Sequence, residues 1–141
     1  MTPDFQKNRR KLDLMKKQKI LVVDDSALNR ELLSEMLSDD YKICEAQNGQ
    51  EAVELLADHW REYRLVLLDI NMPVMDGYEA TKEIRKYSAK VPIIAITAFA
   101  YASDEQRVMA SGFDGYMPKP INARLLKAQL MDIMQKRIIL L

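Results

Sequence analysis

The chain predicts an α/β fold, a doubly wound five-stranded parallel sheet of strand order 2-1-3-4-5. Three observations carry the fold class, and the order is the one among doubly wound sheets that makes the first and third strands, both ending in Asp, direct neighbours. Residues 19–24 (Lys-Ile-Leu-Val-Val-Asp), 65–69 (Leu-Val-Leu-Leu-Asp) and 91–97 (Val-Pro-Ile-Ile-Ala-Ile-Thr) are apolar runs without polar alternation, the pattern of strands buried on both faces. Stretches with helical spacing separate them, as right-handed crossovers between parallel strands require. The length, 141 residues, suits one domain that five strand-helix units nearly fill.

The elements follow in order. After the first strand, Leu28, Leu32, Leu33, Met36 and Leu37 have helical spacing, and Ser26 can cap that helix. Residues 41–46 fit a strand near a sheet edge. Ala52, Val53, Leu55, Leu56 and Trp60 mark the second helix, ahead of the strand ending at Asp69. Pro73 and Gly77 break the chain after that strand and leave its end under a short loop. Ser103 opens a Ser-Asp-Glu-Gln capping box, Gly112 fits a helix end, Tyr116 and Met117 a very short last strand, and Asn122 a cap for the last helix.

Composition narrows the class. Hydrophobic residues make up 48% of the chain, enough for a core, yet no apolar run approaches the roughly 18 residues of a membrane span. The basic N-terminus has no apolar segment behind it, so no secretory signal is expected. Cys44 is the only cysteine, which rules out an intrachain disulfide and fits the cytoplasm; it is expected to be a buried small hydrophobe. The zero net charge hides an asymmetry: residues 1–19 hold seven Lys or Arg against two acids, a net of +5, leaving −5 for the rest. Residues 1–18 therefore predict a solvated basic leader or linker, 19–137 the folded domain, and 138–141 an apolar tail that packs on the domain or on a partner.

The chemistry lies at the strand ends. In the order 2-1-3-4-5 the first and third strands are neighbours, which brings Asp24 and Asp25 beside Asp69 at the carboxyl edge, where such sheets bind ligands. A carboxylate pair followed by a helix start suits a hard cation, Mg²⁺ or in its place Mn²⁺. Asp69 is either a further ligand only or a nucleophile toward phosphorus, with the cation screening the like charges. The second role needs a cationic side chain and a hydroxyl for the phosphoryl oxygens, and Lys119 and Thr97, each ending a later strand, are the candidates. His59 beside Trp60 reads as a structural or exposed histidine.

These residues sit in Val23-Asp-Asp-Ser26, Leu68-Asp-Ile-Asn-Met-Pro-Val-Met-Asp-Gly77, Ile94-Ala-Ile-Thr-Ala98 and Tyr116-Met-Pro-Lys-Pro120. In these motifs the chain, from about residue 18 to 136, resembles a receiver domain of two-component response regulators, whose fold is the flavodoxin-like (βα)5 unit. The resemblance implies that Asp69 accepts phosphate from a phosphohistidine, with Asp25 a direct metal ligand, Asp24 mostly behind it, and the Asn71 backbone carbonyl completing the protein ligands. It implies that Thr97 and Lys119 contact the phosphoryl group, that Thr97 and the aromatic Tyr116 form the switch, and that Lys119-Pro120 is cis. Asn71 and Phe99 are expected to flank the path of the water that hydrolyses the acyl phosphate, and bulky Phe99 to impede it.

The implied partners are a sensor histidine kinase or a histidine phosphotransfer protein and an unknown downstream protein. No DNA-binding domain is read in the chain. The resemblance places the responsive surface, and with it a homodimer contact, on the fourth helix, last strand and last helix, where Tyr101, Val108, Met109, Leu125, Met131 and Met134 supply apolar positions, several of which the periodicity assigns to the core. Two forms are expected, a single-domain regulator or a receiver segment of a larger hybrid histidine kinase. Rival readings are an aspartyl-nucleophile phosphatase of the haloacid-dehalogenase type, whose second Asp is replaced by Asn71, and a flavodoxin-like flavin-binding module, whose phosphate loop the pair Asp24-Asp25 would oppose.

Overall fold

The computed structural model describes residues 17–98 and 102–140. Strands β1 (Gln18–Val23), β2 (Tyr41–Ala46), β3 (Tyr63–Asp69), β4 (Ile93–Thr97) and β5 (Gly115–Pro118) alternate with helices α1 (Ala27–Leu37), α2 (Gly49–His59), α3 (Gly77–Arg85), α4 (Ala102–Ala110) and α5 (Ala123–Leu140). All four strand pairings are parallel and the order is β2-β1-β3-β4-β5, as the sequence predicts.

The uninterrupted apolar runs are explained by a core on each face. Ile20, Val22, Leu65, Leu67, Ile94 and Ile96 face α1 and α5, where they meet Leu33, Leu37, Leu126 and Leu130. Leu21, Val23, Val66, Leu68, Ile93 and Ala95 face the other way, toward Ala52 and Leu56 of α2, Ala80 and Ile84 of α3, and Val108 of α4. With the side-chain period of two, both sets must be apolar, so alternation disappears. Each fully buried Leu or Ile contributes about 1.5–3 kcal/mol.

Boundaries shift for local reasons. Gln18, expected in the leader, is the first residue of β1, and Asp24 lies just past its end. β3 starts at Tyr63, two residues before the expected run. β4 starts at Ile93 because Pro92 has no N–H to donate; its carbonyl still accepts from Val66 N–H at 2.8 Å. The Ser26 and Asn122 caps form, their side chains accepting from Asn29 N–H at 3.3 Å and Leu125 N–H at 3.1 Å. Two caps escaped the sequence reading: Asn48 on α2 and Asp76 on α3 accept from Glu51 and Glu79 N–H. α4 begins at Ala102, and the expected Ser103 cap lies outside the described side chains. Gly112, at φ +96°, takes the left-handed conformation that ends α4.

Two apolar expectations need correction, those for Leu28 with Leu32 and for Cys44. Leu28 and Leu32 have helical spacing but are 64% and 44% exposed, so Leu33 and Leu37, with the half-buried Met36, bind α1 to the sheet. Of the apolar positions near the responsive surface, Val108 is core, in line with its periodicity, while Met109, Leu125 and Met131 are exposed. Cys44 is only half-buried, packed against the α2–α4 core. His59 is exposed and pairs with the Glu62 carboxylate. The expectations for residues 1–16, Phe99, Tyr101, Met134 and the packing of the 138–141 tail lie outside the described residues.

One polar clamp holds the sheet's amino edge. Arg85, at the end of α3, donates to the carbonyls of Gly112, Ser88 and Val91 and to Asp114 Oδ2 at 2.8 Å. Asp114 Oδ2 also accepts from Ile93 N–H at 2.9 Å. A single guanidinium therefore ties α3, the loop into β4 and the loop into β5, using the planar fork that only Arg provides.

Candidate functional site

The register assembles the site. Val23 of β1 pairs with Leu68 of β3, so Asp24 and Asp69 stand one step further along neighbouring strands. Asp69 pairs with Ile96, so Thr97 stands one step beyond it on β4, and Thr97 pairs with Pro118, which puts Lys119 next. Lys119 N–H donates to the Thr97 carbonyl at 2.7 Å. All four strand-end residues thus meet at the carboxyl edge, where the strand order reverses direction from β1.

Asp24, Asp25 and Asp69 each offer a carboxylate oxygen, and these oxygens lie within 4.8 Å of one another. Asp24 and Asp69 are buried and Asp25 is exposed, so the cluster opens to solvent on one side. Asp69 Oδ1 accepts from Asn71 N–H at 3.0 Å and its Oδ2 from Lys119 Nζ at 3.2 Å. Asp24 Oδ1 accepts from Ser26 N–H at 2.9 Å, while its buried Oδ2 makes no short hydrogen bond and faces the Lys119 ammonium at the longer distance of 3.5 Å. A buried carboxylate oxygen left in this way is costly unless a cation takes it up. Ligands around one Mg²⁺ stand roughly 3–4 Å apart, a small contraction from this arrangement.

Charge and burial compete here. Burial raises the Asp69 pKa, the Asn71 N–H lowers it, the Asp24 charge raises it and Lys119 lowers it, with a net rise above the ordinary carboxylate value. For Lys119, burial works downward, but the charges and hydrogen bonds of Asp69 and Asp24 outweigh it and hold the ammonium protonated.

The loop after Asp69 is tightly built. Gly77 N–H donates to the Ile70 carbonyl at 2.9 Å, and a Cβ at Gly77 would stand 2.7 Å from Ile70 Cα and 2.8 Å from the Asp69 carbonyl oxygen. The sequence marks Gly77 as a chain breaker; it is the first residue of α3, and glycine is required because the helix start rests on the strand end. Met75 N–H reaches the Pro73 carbonyl at 2.8 Å around Val74, whose φ of +72° is unusual for a β-branched residue. The Lys119–Pro120 bond is cis.

Tyr116 packs against the α2–α4 core, and its carbonyl accepts from Gln129 Nε2 of α5 at 3.1 Å. Burial raises its hydroxyl pKa, with further contributions from Asp104 and Glu105 of α4. Beside the acids a groove of about 460 Å³ runs between α1 and the loop into α5, lined by Leu32, Leu33, Met36, Ile96, Pro120 and Ile121 with Asp24 and Lys119 at its end.

Strand order and strand-end residues define a class, the open α/β proteins that hold a ligand where the sheet's order reverses. Within it, the chain belongs to the response regulator receiver domain family, whose match covers residues 20–131. It is a receiver domain of a two-component system. It is 39% identical over 112 residues to the sensor histidine kinase RcsC of Escherichia coli K12, covering 79% of this chain but 12% of that protein. It is 39% identical over 120 residues to the chemotaxis protein CheY of Halobacterium salinarum, covering 83% of this chain and 97% of that one. Among solved structures it is similar to the receiver domain of the Saccharomyces cerevisiae response regulator Ssk1, in co-crystals with the histidine phosphotransfer protein Ypd1. The TM-score there is 0.79 at 28% identity, covering 86% of this chain and 91% of that one. Among the described residues no helix is long and apolar enough to cross a membrane.

Proposed function

We propose that this domain accepts a phosphoryl group on Asp69 from a phosphohistidine of a sensor kinase or phosphotransfer protein, with Mg²⁺ held by Asp24, Asp25, Asp69 and the Asn71 carbonyl. The observation that carries the reading is the meeting of three carboxylates and one ammonium at a buried strand edge, where Lys119 lies 3.2 Å from Asp69 Oδ2 and 3.5 Å from Asp24 Oδ2 and is the single cation the described residues set against them. When bound, Mg²⁺ (or Mn²⁺) supplies the positive charge that lets a carboxylate approach a phosphoryl anion. An Asp69 oxygen forms the new O–P bond as the P–N bond to the donor histidine breaks, and the electron pair returns to the imidazole. Lys119 stabilises the charge on the moving phosphoryl oxygens, and the Thr97 hydroxyl bonds one of them. Thr97 and Tyr116 then form the switch, and α4, β5 and α5 the surface that a downstream protein or a second copy reads. Apart from its own phosphorylation and dephosphorylation the domain catalyses nothing, and it works in the cytoplasm as a folded unit near residues 19–137.

The test is incubation with Mg²⁺ and a small phosphodonor, read by intact mass: one added phosphate is expected, and an unmodified folded protein overturns the reading. The groove beside Lys119 and the exposed Leu28 and Leu32 supply an apolar landing for the protein donor. Leu32→Glu is expected to slow transfer from a phosphohistidine protein about tenfold while leaving the small-donor rate unchanged, since it removes docking surface and not chemistry. Equal rates from the protein donor would remove this face from the contact.

A further inference from the structure

Arg30 contacts none of the phosphoryl-handling side chains, yet its guanidinium is committed to the frame that carries two of them. Its Nη1 donates to the Asp24 backbone carbonyl at 2.8 Å and its Nε to Glu45 Oε1 on β2 at 3.1 Å. The side chain is only 13% exposed. Around Asp24 the backbone N–H donates to the Ala46 carbonyl at 3.2 Å and Oδ1 accepts from Ser26 N–H, so Arg30 supplies the bond that holds the Asp24–Asp25 peptide from its carbonyl side. The orientation of that peptide decides where both carboxylates point.

The ion pair with Glu45 does not by itself explain this arrangement. The Arg30–Glu45 pair has a half-exposed carboxylate, and such ion pairs contribute little. The bond that a shorter or non-planar cation could not make together with it is the one to the Asp24 carbonyl. We infer that Arg30 is a positioning residue for the cation site, acting through the Asp24 carbonyl to hold the Asp24 and Asp25 carboxylates in place for a divalent cation. The inference rests on the metal reading above. Groups that orient ligands from behind tune metal affinity without touching the metal.

The test measures Mg²⁺ binding directly by calorimetry, without phosphodonor, on the whole chain and on Arg30→Met and Arg30→Lys, with urea unfolding of each in metal-free buffer. Arg30→Met is expected to weaken Mg²⁺ about tenfold and Arg30→Lys by less, because Lys restores one bond of the fork. At saturating Mg²⁺ the phosphorylation rate returns to that of the unmodified chain. A dissociation constant for Arg30→Met within about twofold of the unmodified chain overturns the inference, whatever happens to stability, since a purely structural arginine changes unfolding and not cation affinity. If Arg30→Met does not fold, Arg30→Lys decides by the same criterion. An unmodified chain that binds no Mg²⁺ instead overturns the metal reading itself, a separate result.

Discussion

Asp69→Asn is expected to fold, to be at least as stable as the unmodified chain in metal-free buffer at neutral pH, and to gain no phosphate from a donor that modifies the unmodified chain. The chemical half follows from the loss of the attacking oxygen pair. The stability half follows from the sign of the pKa shift: Asp69 is raised by burial and by Asp24, so ionising it costs stability as pH rises through its folded value, and asparagine carries no such cost. Asn71 N–H can still donate to the amide oxygen. Lys119→Met separates the partners. Lys119 Nζ is the cation that the described residues place against both Asp69 and Asp24, so its loss should slow acceptance from a small donor by about two to three orders of magnitude. Mg²⁺ should bind more tightly at the same time, because a competing positive charge has left the site. Slower phosphorylation with tighter metal is the signature, and a rate within about tenfold of the unmodified chain would remove Lys119 from the chemistry.

Arg85→Ala is expected to cost about 3 kcal/mol, a large share of the 5–15 kcal/mol that holds a domain folded, and to lower Tm by roughly 10 °C. The substitution leaves the carbonyls of Gly112, Ser88 and Val91 without their donor and Asp114 without its counter-charge, while Asp114 still binds Ile93 N–H. Unpaired acceptors at partly buried positions account for the size of the effect. The clamp lies at the start of β4, the opposite edge from Asp69. Phosphorylation of the folded fraction at low temperature should therefore be unchanged. Urea unfolding reads the first claim, and a loss under about 1 kcal/mol would mean water replaces the guanidinium without cost.

Much of the site was legible because its residues end apolar runs. A run buried on both faces tolerates no charge, so Asp24, Asp69, Thr97 and Lys119 mark strand ends by where the hydrophobicity stops, and the crossover rule brings those ends together. Ser26 and Asn122 were legible as caps ahead of an apolar helical pattern, while Asn48 and Asp76 were not, because each is followed by a glycine, a poor helix former that here opens the helix. Arg85 stands among Lys82, Glu83 and Lys86 and looks like another solvated charge. Its partners lie up to 29 residues away, and no local pattern announces them.

By itself, then, the amino-acid order determined the strand-helix alternation and the four strand-end residues, since these depend on periodicity along short stretches, and it pointed to the sheet order through the acids that order brings together. Only the tertiary structure decided that Leu28 and Leu32 face outward, that Gly77 is needed for close approach, and that Arg30 and Arg85 brace the two edges of the sheet. Those outcomes depend on how helices settle against a twisted sheet, where distances between segments remote in sequence select which side chains meet.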